Sequence, residues 1–79
     1  MYYVYLIENS DGDRYIGYTS DLKRRLQEHR DGRSFYTSKK RCDWRIIYYE
    51  AYLNKEIAIK REKVLKRDRS KLYKRLALQ

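Results

Sequence analysis

Five side chains in this sequence are of types that do chemistry together: two phenols, an arginine, a histidine and one carboxylate, at Tyr5, Tyr15, Arg25, His29 and Glu62. A carboxylate can hold a divalent ion, and an arginine can offset negative charge on a phosphorane-like transition state. A phenolate can take a proton from an attacking water. Together these residue types indicate metal-assisted hydrolysis of a phosphodiester, provided that the fold brings them to one place.

Other reaction classes lack their residues in this sequence. There is no glycine-rich phosphate loop, no nucleophile elbow and no pair of neighbouring carboxylates suited to glycoside hydrolysis. The one cysteine, Cys42, excludes an intrachain disulfide, and one cysteine with one histidine excludes an ordinary zinc site.

Two of the five residues also have a structural interpretation. Long arginine stems often cover apolar surface at the edge of a helix stripe, which would account for Arg25 equally well. Glu62 shares the apolar stripe of its helix with Leu65, where an acid is costly unless it is paired or bound to a metal. Glu62 is therefore either a metal ligand or one partner of a salt bridge to an arginine. Glu28 and Glu56 are expected to be ordinary surface acids.

The two tyrosines lie on predicted strands joined by a hairpin turn. Residues 2–8 carry apolar or aromatic side chains on both faces, which is typical of a central strand. Asp11-Gly12 is a strong turn signal, and residues 14–18 form the returning antiparallel strand. Tyr5 and Tyr15 can then project from the same face, depending on register.

The arginine and the histidine lie on a helix that is expected to follow at once. Thr19 or Ser20 is predicted to cap it. Gly32 is predicted to end it, because glycine favours the left-handed cap conformation. One face of this helix has the i, i+3, i+4, i+7 spacing and consists of Leu22, Arg25, Leu26 and His29.

Residues 33–43 predict an irregular loop in which Phe35 and Tyr36 are interspersed with cations. Aromatic and basic side chains in such a loop can stack on nucleobases and pair with phosphates. The alternative is a solvated loop with the two aromatic side chains tucked under it. Both interpretations stay open at the level of sequence.

The rest of the chain predicts one strand and two helices. Residues 44–52 form the third strand, with Trp44, Ile46 and Tyr48 on one face. Asn54 is expected to cap the helix that carries Glu62. Ser70 is expected to cap a final short helix that runs to the C-terminal leucines.

The charge of the chain points to a polyanion as its partner. Twenty Lys and Arg against eleven Asp and Glu give a formal net charge of +9, and the bases are mixed with acids and apolar residues as on folded helices. Nucleic acid is favoured over an anionic membrane, since no segment is apolar enough to span a bilayer and no signal peptide is expected before the first strand. The sequence is expected to form one cytoplasmic domain over residues 1–79, with a monomer favoured.

The ordered motifs resemble the GIY-YIG nuclease domain, and most closely its small stand-alone bacterial members. Tyr3-Val4-Tyr5 matches the first motif and Tyr15-Ile16-Gly17 the second, and Arg25 and Glu62 follow at the family's spacing. The resemblance covers roughly residues 2–72.

This resemblance implies an α+β fold, in which a three-stranded antiparallel sheet is flanked by helices in the order β-β-α-β-α-α, and one bound Mg²⁺ (or Mn²⁺) ion. Tyr5 and Tyr15 match the family's tyrosines; one serves as general base, and the other orients water or phosphate. Arg25 matches the catalytic arginine, His29 an auxiliary histidine and Glu62 the metal ligand. An ordinary phenol has a pKa of about 10, so nearby cations must favour the phenolate of the base.

Further residues are expected to contact DNA through phosphates or stacking: Gly17, Tyr18, Lys23, Arg24, Arg33, Lys39, Lys40 and Arg41. Gly17 would let a phosphate or metal approach the backbone. The sequence departs from the family pattern at Tyr3, where a glycine is usual, and at Tyr18, which replaces a lysine of repair and restriction members. It also has no counterpart of a late asparagine, and no second domain for target choice is expected.

The resulting hypothesis is a metal-dependent DNA endonuclease with weak sequence specificity, selective for single-stranded or branched DNA and acting in repair or recombination. No small-molecule substrate is expected. The alternative is a non-catalytic nucleic-acid-binding module that keeps the fold. A third interpretation is an interaction protein whose basic faces bind an acidic partner. The endonuclease is favoured because a binder has no need of a carboxylate that repels phosphate.

Overall fold

The computed structural model describes residues 1–78 and has three strands and three helices over that range. In chain order they are β1 (Tyr2–Glu8), β2 (Arg14–Thr19), α1 (Leu22–Arg30), β3 (Arg45–Tyr52), α2 (Lys55–Arg67) and α3 (Arg69–Ala77). This order confirms the predicted α+β fold. The single domain over residues 1–79 stays a prediction, and Gln79 lies outside the described residues.

The sheet has the order β2-β1-β3, and both pairs of strands are antiparallel. β1 is thus the central strand, as its two apolar faces predicted. Tyr5 pairs with Gly17 and Ile7 pairs with Tyr15. Because side chains alternate along a strand, Tyr5 and Tyr15 project from the same face as diagonal neighbours.

Helices cover both faces of the sheet. On one face, strand residues pack against α2 and α3 in a core of Val4, Leu6, Ile16, Ala58, Leu65 and Leu72. On the other face, Tyr5, Ile7 and Trp44 form a second buried cluster, against which Leu22 and Leu26 of α1 pack. The face that carries the two tyrosines is therefore the face covered by α1.

β3 contains an irregularity that the sequence did not predict. Leu6 pairs with Tyr48, but Ile7 pairs with Ile46, so one extra residue lies between them on β3. Such a bulge turns the following side chains to the opposite face. Ile46 accordingly packs with Trp44 in the cluster of Tyr5, whereas Tyr48 packs against the α2 side. The prediction that Trp44, Ile46 and Tyr48 share one face was wrong for Tyr48.

Two of the three predicted N-terminal helix caps differ in the structure. Asp21, not Thr19 or Ser20, caps α1, and its carboxylate accepts from the Arg24 backbone N–H at 3.1 Å. Asp21 is the last extended residue before the helix, which is the position where a capping oxygen reaches the third helical N–H. The Thr19 hydroxyl instead accepts from the Asp21 N–H at 3.1 Å.

The cap of α2 was predicted correctly, since Asn54 accepts from the Ile57 N–H at 3.0 Å. The cap of α3 was predicted incorrectly. Asp68 alone separates α2 from α3, with φ −112° and ψ 40°, and α3 begins at Arg69. Ser70 lies inside the helix and does not cap it, because the break between the two helices is confined to Asp68.

An ion pair holds α2 on the sheet. The Arg61 guanidinium donates to both carboxylate oxygens of Glu50, at 2.7 and 3.0 Å, and Tyr48 and Tyr52 also donate to that carboxylate. This network fixes the middle of α2 against β3 and thereby sets the position of Glu62, the next residue. Within residues 1–78, no helix is long and apolar enough to cross a bilayer.

Candidate active site

Tyr5 and Tyr15 form the centre of the site on the α1 side of the sheet. Tyr5 is buried and Tyr15 is half-buried, with ring centroids 6.4 Å apart. Gly17, across from Tyr5, is also buried. A Cβ there would overlap the Tyr5 hydroxyl and lie 2.9 Å from Tyr15 Cε2.

The role predicted for Gly17 therefore needs correction. The space beside its Cα, which was expected to admit a phosphate, is filled by the Tyr5 phenol. The absence of a side chain at this position lets the two tyrosines pack together over β2.

His29 lies behind the tyrosines and is fully buried. Its Nε2 is 2.8 Å from the Tyr5 hydroxyl, and its Nδ1 is 2.7 Å from Thr37 Oγ1. Burial, with a further effect of the Arg25 charge, lowers the pKa of His29 to about 4. The imidazole is thus neutral at physiological pH, so one ring nitrogen donates and the other accepts.

Arg25 is held at the site by two side chains. Its Nη1 donates to Glu28 Oε1 at 2.8 Å and its Nη2 donates to Ser34 Oγ at 3.2 Å. Glu28 was predicted to be an ordinary surface acid, but its carboxylate orients Arg25. The arginine is more than a cover for apolar surface, because its guanidinium is bonded on both sides next to the tyrosines.

Both phenols, Tyr5 and Tyr15, are neutral at physiological pH. Burial raises the pKa of Tyr5 far above the ordinary value, and burial raises the pKa of Tyr15 as well. The Arg25 charge opposes both shifts, whereas the Glu62 charge adds to them. Additional positive charge at the site would be needed to favour a phenolate.

Glu62 extends from α2 toward the tyrosines and is largely buried. Its Oε2 lies 3.6 Å from Lys66 Nζ, and the same ammonium lies 5.5 Å from the centre of the Tyr15 ring. Lys66 thus lies between the carboxylate and the Tyr15 ring. The salt bridge considered for Glu62 exists, but with a lysine of its own helix.

The carboxylate fits a magnesium-type ion better than a metal caged by protein. Among residues 1–78, no three His, Cys, Asp or Glu side chains are grouped so that they could hold an ion. Mg²⁺ keeps several waters and typically takes one or two carboxylates together with phosphate oxygens. Glu62 could supply the protein ligand of such an ion, with the phosphate of a substrate and water completing the shell.

The predicted DNA-contacting cations are all exposed. Those on α1 are Lys23 and Arg24, and those on the following loop are Arg33, Lys39, Lys40 and Arg41. Four of them have acidic neighbours: Arg24 with Glu28, Arg33 with Asp31, Lys40 with Asp13 and Arg41 with Asp43. Lys23 and Lys39 make no ion pair with any residue from 1 to 78.

Tyr18 is not brought to the site. Its ring stacks on Tyr2 at 6.4 Å and packs against the core under α2, on the opposite face of the sheet from Tyr15. Alternation along β2 requires this, because Tyr15 and Tyr18 are three residues apart. Tyr18 is thus a core-packing residue in this structure, and its predicted contact with nucleic acid stays a prediction.

Sequence reasoning missed four residues of the site: Ser34, Thr37, Glu28 and Lys66. Ser34 and Thr37 are buried in the loop that follows α1. Phe35 and Tyr36, between them, are 88 % and 70 % exposed, so the alternative in which both are tucked under the loop does not hold. Small hydroxyl side chains in an irregular loop carry no periodic signal, so Ser34 and Thr37 could not be found from the sequence. Lys66 could have been found, because it lies four residues after Glu62 on the same helix and has the opposite charge.

Comparisons with known proteins agree with this geometry. The sequence-family model of the GIY-YIG catalytic domain matches residues 1–76 of this chain. A UPF0213 protein of Streptococcus pneumoniae is 40 % identical over 82 % of this chain and 66 % of its own length, and one of Streptococcus agalactiae is 39 % identical over 81 % and 73 %. The chain thus spans about two thirds to three quarters of these relatives.

A solved structure is also similar. The solution NMR structure of a UPF0213 protein from Bacillus halodurans superposes with a TM-score of 0.56 at 33 % identity, over 94 % of this chain and 84 % of the other. Nuclease activity on nucleic acid is the general property of the GIY-YIG domain, and its members generally use a divalent metal ion.

Proposed function

The chain belongs to the GIY-YIG family, and on this premise we propose that it is a metal-dependent DNA endonuclease. We further propose weak sequence specificity and a preference for single-stranded or branched DNA. The observation that carries the proposal is the convergence of two phenols, an imidazole, a guanidinium and one carboxylate from β1, β2, α1 and α2. A purely structural cluster would not need a carboxylate beside two neutral phenols.

The tyrosines divide the work according to their exposure. Tyr15 is half-buried, so its hydroxyl is the one that can meet the attacking water or the phosphate. Tyr5 is buried with its hydroxyl 2.8 Å from the neutral His29, so Nε2 can accept a hydrogen bond from the phenol and orient it. Thr37 fixes the imidazole from its other nitrogen.

The charged residues act on the phosphate. Arg25, fixed by Glu28 and Ser34, presents a preorganised cation to the developing negative charge. A divalent ion held by Glu62 would supply further stabilisation of that charge. With the ion bound, the Glu62 charge would no longer raise the pKa of the phenols.

The second candidate is a binding module that does not cleave. It is favoured by one observation: burial keeps both phenols in their neutral form, with the pKa of each raised. Such a module would bind DNA in a salt-sensitive way and would not respond to metal.

A cleavage panel distinguishes the two. The purified chain is incubated with labelled single-stranded, flapped, branched and fully paired DNA, with Mg²⁺, Mn²⁺ or EDTA. The endonuclease proposal expects cut strands with metal, absent in EDTA, and faster cutting of the single-stranded and branched substrates. Binding without cleavage of any substrate would support the module instead.

A further inference from the structure

The loop after α1 contains a turn whose two corners are fixed to candidate catalytic side chains. The Thr37 N–H donates to the Ser34 carbonyl at 3.2 Å, which closes a four-residue β-turn. Ser34 Oγ accepts from Arg25, and Thr37 Oγ1 lies 2.7 Å from His29 Nδ1. Both corner residues are buried, so the turn has a defined position relative to the site.

The tip of this turn presents two aromatic rings to solvent. Phe35 and Tyr36 meet edge to face, with centroids 5.4 Å apart and planes at 88°. Tyr36 also stacks on the catalytic Tyr15, with centroids 6.1 Å apart and planes at 19°. Single exposed aromatic residues are common and need no explanation. Two adjacent ones on a fixed turn, in contact with a catalytic ring, form a platform that extends the site outward.

The charges around the tip identify what the platform would hold. Arg33 precedes the turn, and three cations follow it closely: Lys39, Lys40 and Arg41, all exposed. Proteins bind single-stranded nucleic acid with aromatic rings set between cationic side chains. The nucleobases stack on the rings, and the phosphates lie near the cations. A paired duplex offers no free base face, because its bases stack on one another.

We propose that the Ser34–Thr37 turn is a base-stacking subsite, in which Phe35 and Tyr36 hold an unpaired nucleobase next to the phosphate at Tyr15. The proposal rests on the proposed nuclease function and deepens it, since it assigns the preference for single-stranded or branched DNA to two named side chains. The subsite takes any base, because every base has a π face.

The test measures stacking without cleavage. A short single strand that carries 2-aminopurine is titrated with the protein in EDTA, and a matched paired duplex is titrated in parallel. The wild type should quench the fluorescence of the single strand. Phe35→Ala and Tyr36→Ala should each reduce the quench and weaken single-strand binding about tenfold, the size of one lost stack, with a much smaller change for the duplex. Tyr36→Phe, which keeps the ring, should retain the quench.

Leu53→Ala is the matched control, because Leu53 is an exposed apolar residue (86 %) outside the turn. It should bind like the wild type. Phe35→Ala is the cleaner variant of the pair, since among residues 1–78 the one aromatic ring packed against Phe35 is that of Tyr36. The subsite would be overturned if Phe35→Ala and Tyr36→Ala quenched the fluorescence as strongly as wild type does. It would also be overturned if each variant lost as much affinity for the paired duplex as for the single strand.

The two proposals fail separately. Because the quench is read in EDTA, a protein that cuts no DNA would refute the nuclease proposal while the stacking result still stands on its own. Conversely, metal-dependent cutting whose preference for single strands is unchanged in Phe35→Ala and Tyr36→Ala would overturn the subsite alone.

Discussion

At the scale of single residues, His29 has a protonation state set by its burial, and this makes stability depend on pH. Its pKa is about 4 in the folded protein and about 6.5 when exposed in the unfolded chain. Between these values the unfolded state binds more protons, so the free energy of unfolding falls as the pH is lowered from about 6.5 toward 4.

We expect wild type to lose roughly 1–2 kcal/mol of stability between pH 7 and pH 5 through this residue. Urea unfolding at both pH values measures the loss. His29→Gln, which cannot titrate, should lack this part of the pH dependence. An equal pH dependence in the two proteins would mean that His29 is not held neutral by the fold.

Arg25 is expected to act on the transition state more than on binding. Its guanidinium is preorganised by Glu28 and Ser34, and loss of one such group typically costs about 10²–10³ in rate. Arg25→Ala should therefore lower single-turnover cleavage about 100-fold or more, with a smaller change in Kd for the same DNA. Arg24→Ala, an exposed neighbour on α1, should weaken binding more than cleavage. Equal losses of rate and affinity in Arg25→Ala would reduce Arg25 to a phosphate contact.

At the scale of elements, the close packing of β1 and β2 at Gly17 sets the distance between the two tyrosines. A methyl group there would collide with the Tyr5 ring and hydroxyl. Gly17→Ala should destabilise the protein by about 1–3 kcal/mol, as overpacking does, and should lower cleavage because Tyr5 is displaced from His29. Urea midpoints and cleavage rates check both effects. Wild-type stability and rate in this variant would contradict the packing described for the pair.

The elements also show how far the sequence could predict the site. Arg25 and His29 were placed on one helix face because that pattern is local and periodic. The shared face of Tyr5 and Tyr15 stayed open at the level of sequence, because it depends on the register of β1 with β2. The bulge in β3 could not be predicted, since it arises from pairing with β1. Ser34 and Thr37 could not be predicted either, because their burial depends on where the loop folds back onto α1.

The residue pair that joins distant elements was predicted only in part. Glu62 was singled out because an acid on an apolar stripe requires a partner. Its link to Tyr15 through Lys66 depends on how α2 crosses the sheet, which the Glu50–Arg61 ion pair fixes. Residue type and spacing thus indicated the members of the site, and tertiary packing decided their contacts.

At the scale of the whole molecule, the net charge of +9 predicts binding that depends steeply on salt. Each neutralised phosphate releases counterions, with a slope of about 0.7 per contact for a single strand. Affinity for a single strand should fall roughly 10- to 100-fold between about 50 and 200 mM salt. Lys39→Gln should reduce the slope of log affinity against log salt by about the amount of one phosphate contact, because Lys39 makes no ion pair within residues 1–78 and is free to pair with a phosphate. Affinity that is independent of salt would contradict a polyanion as the partner.

Glu62 tests the central claim most directly, because the proposed function requires the carboxylate for metal-assisted cleavage and not for binding of DNA. The measurement is the single-turnover rate of cutting a labelled single-stranded or flapped DNA with Mg²⁺. Wild type, Glu62→Ala and Glu56→Ala are compared after their folding has been checked by urea unfolding. Glu56 is the control, since it is an exposed acid of the same helix. Glu62→Ala should lose about 100-fold or more in rate and keep its DNA binding, whereas Glu56→Ala should cut like wild type. Equal rates for Glu62→Ala and wild type would contradict the account.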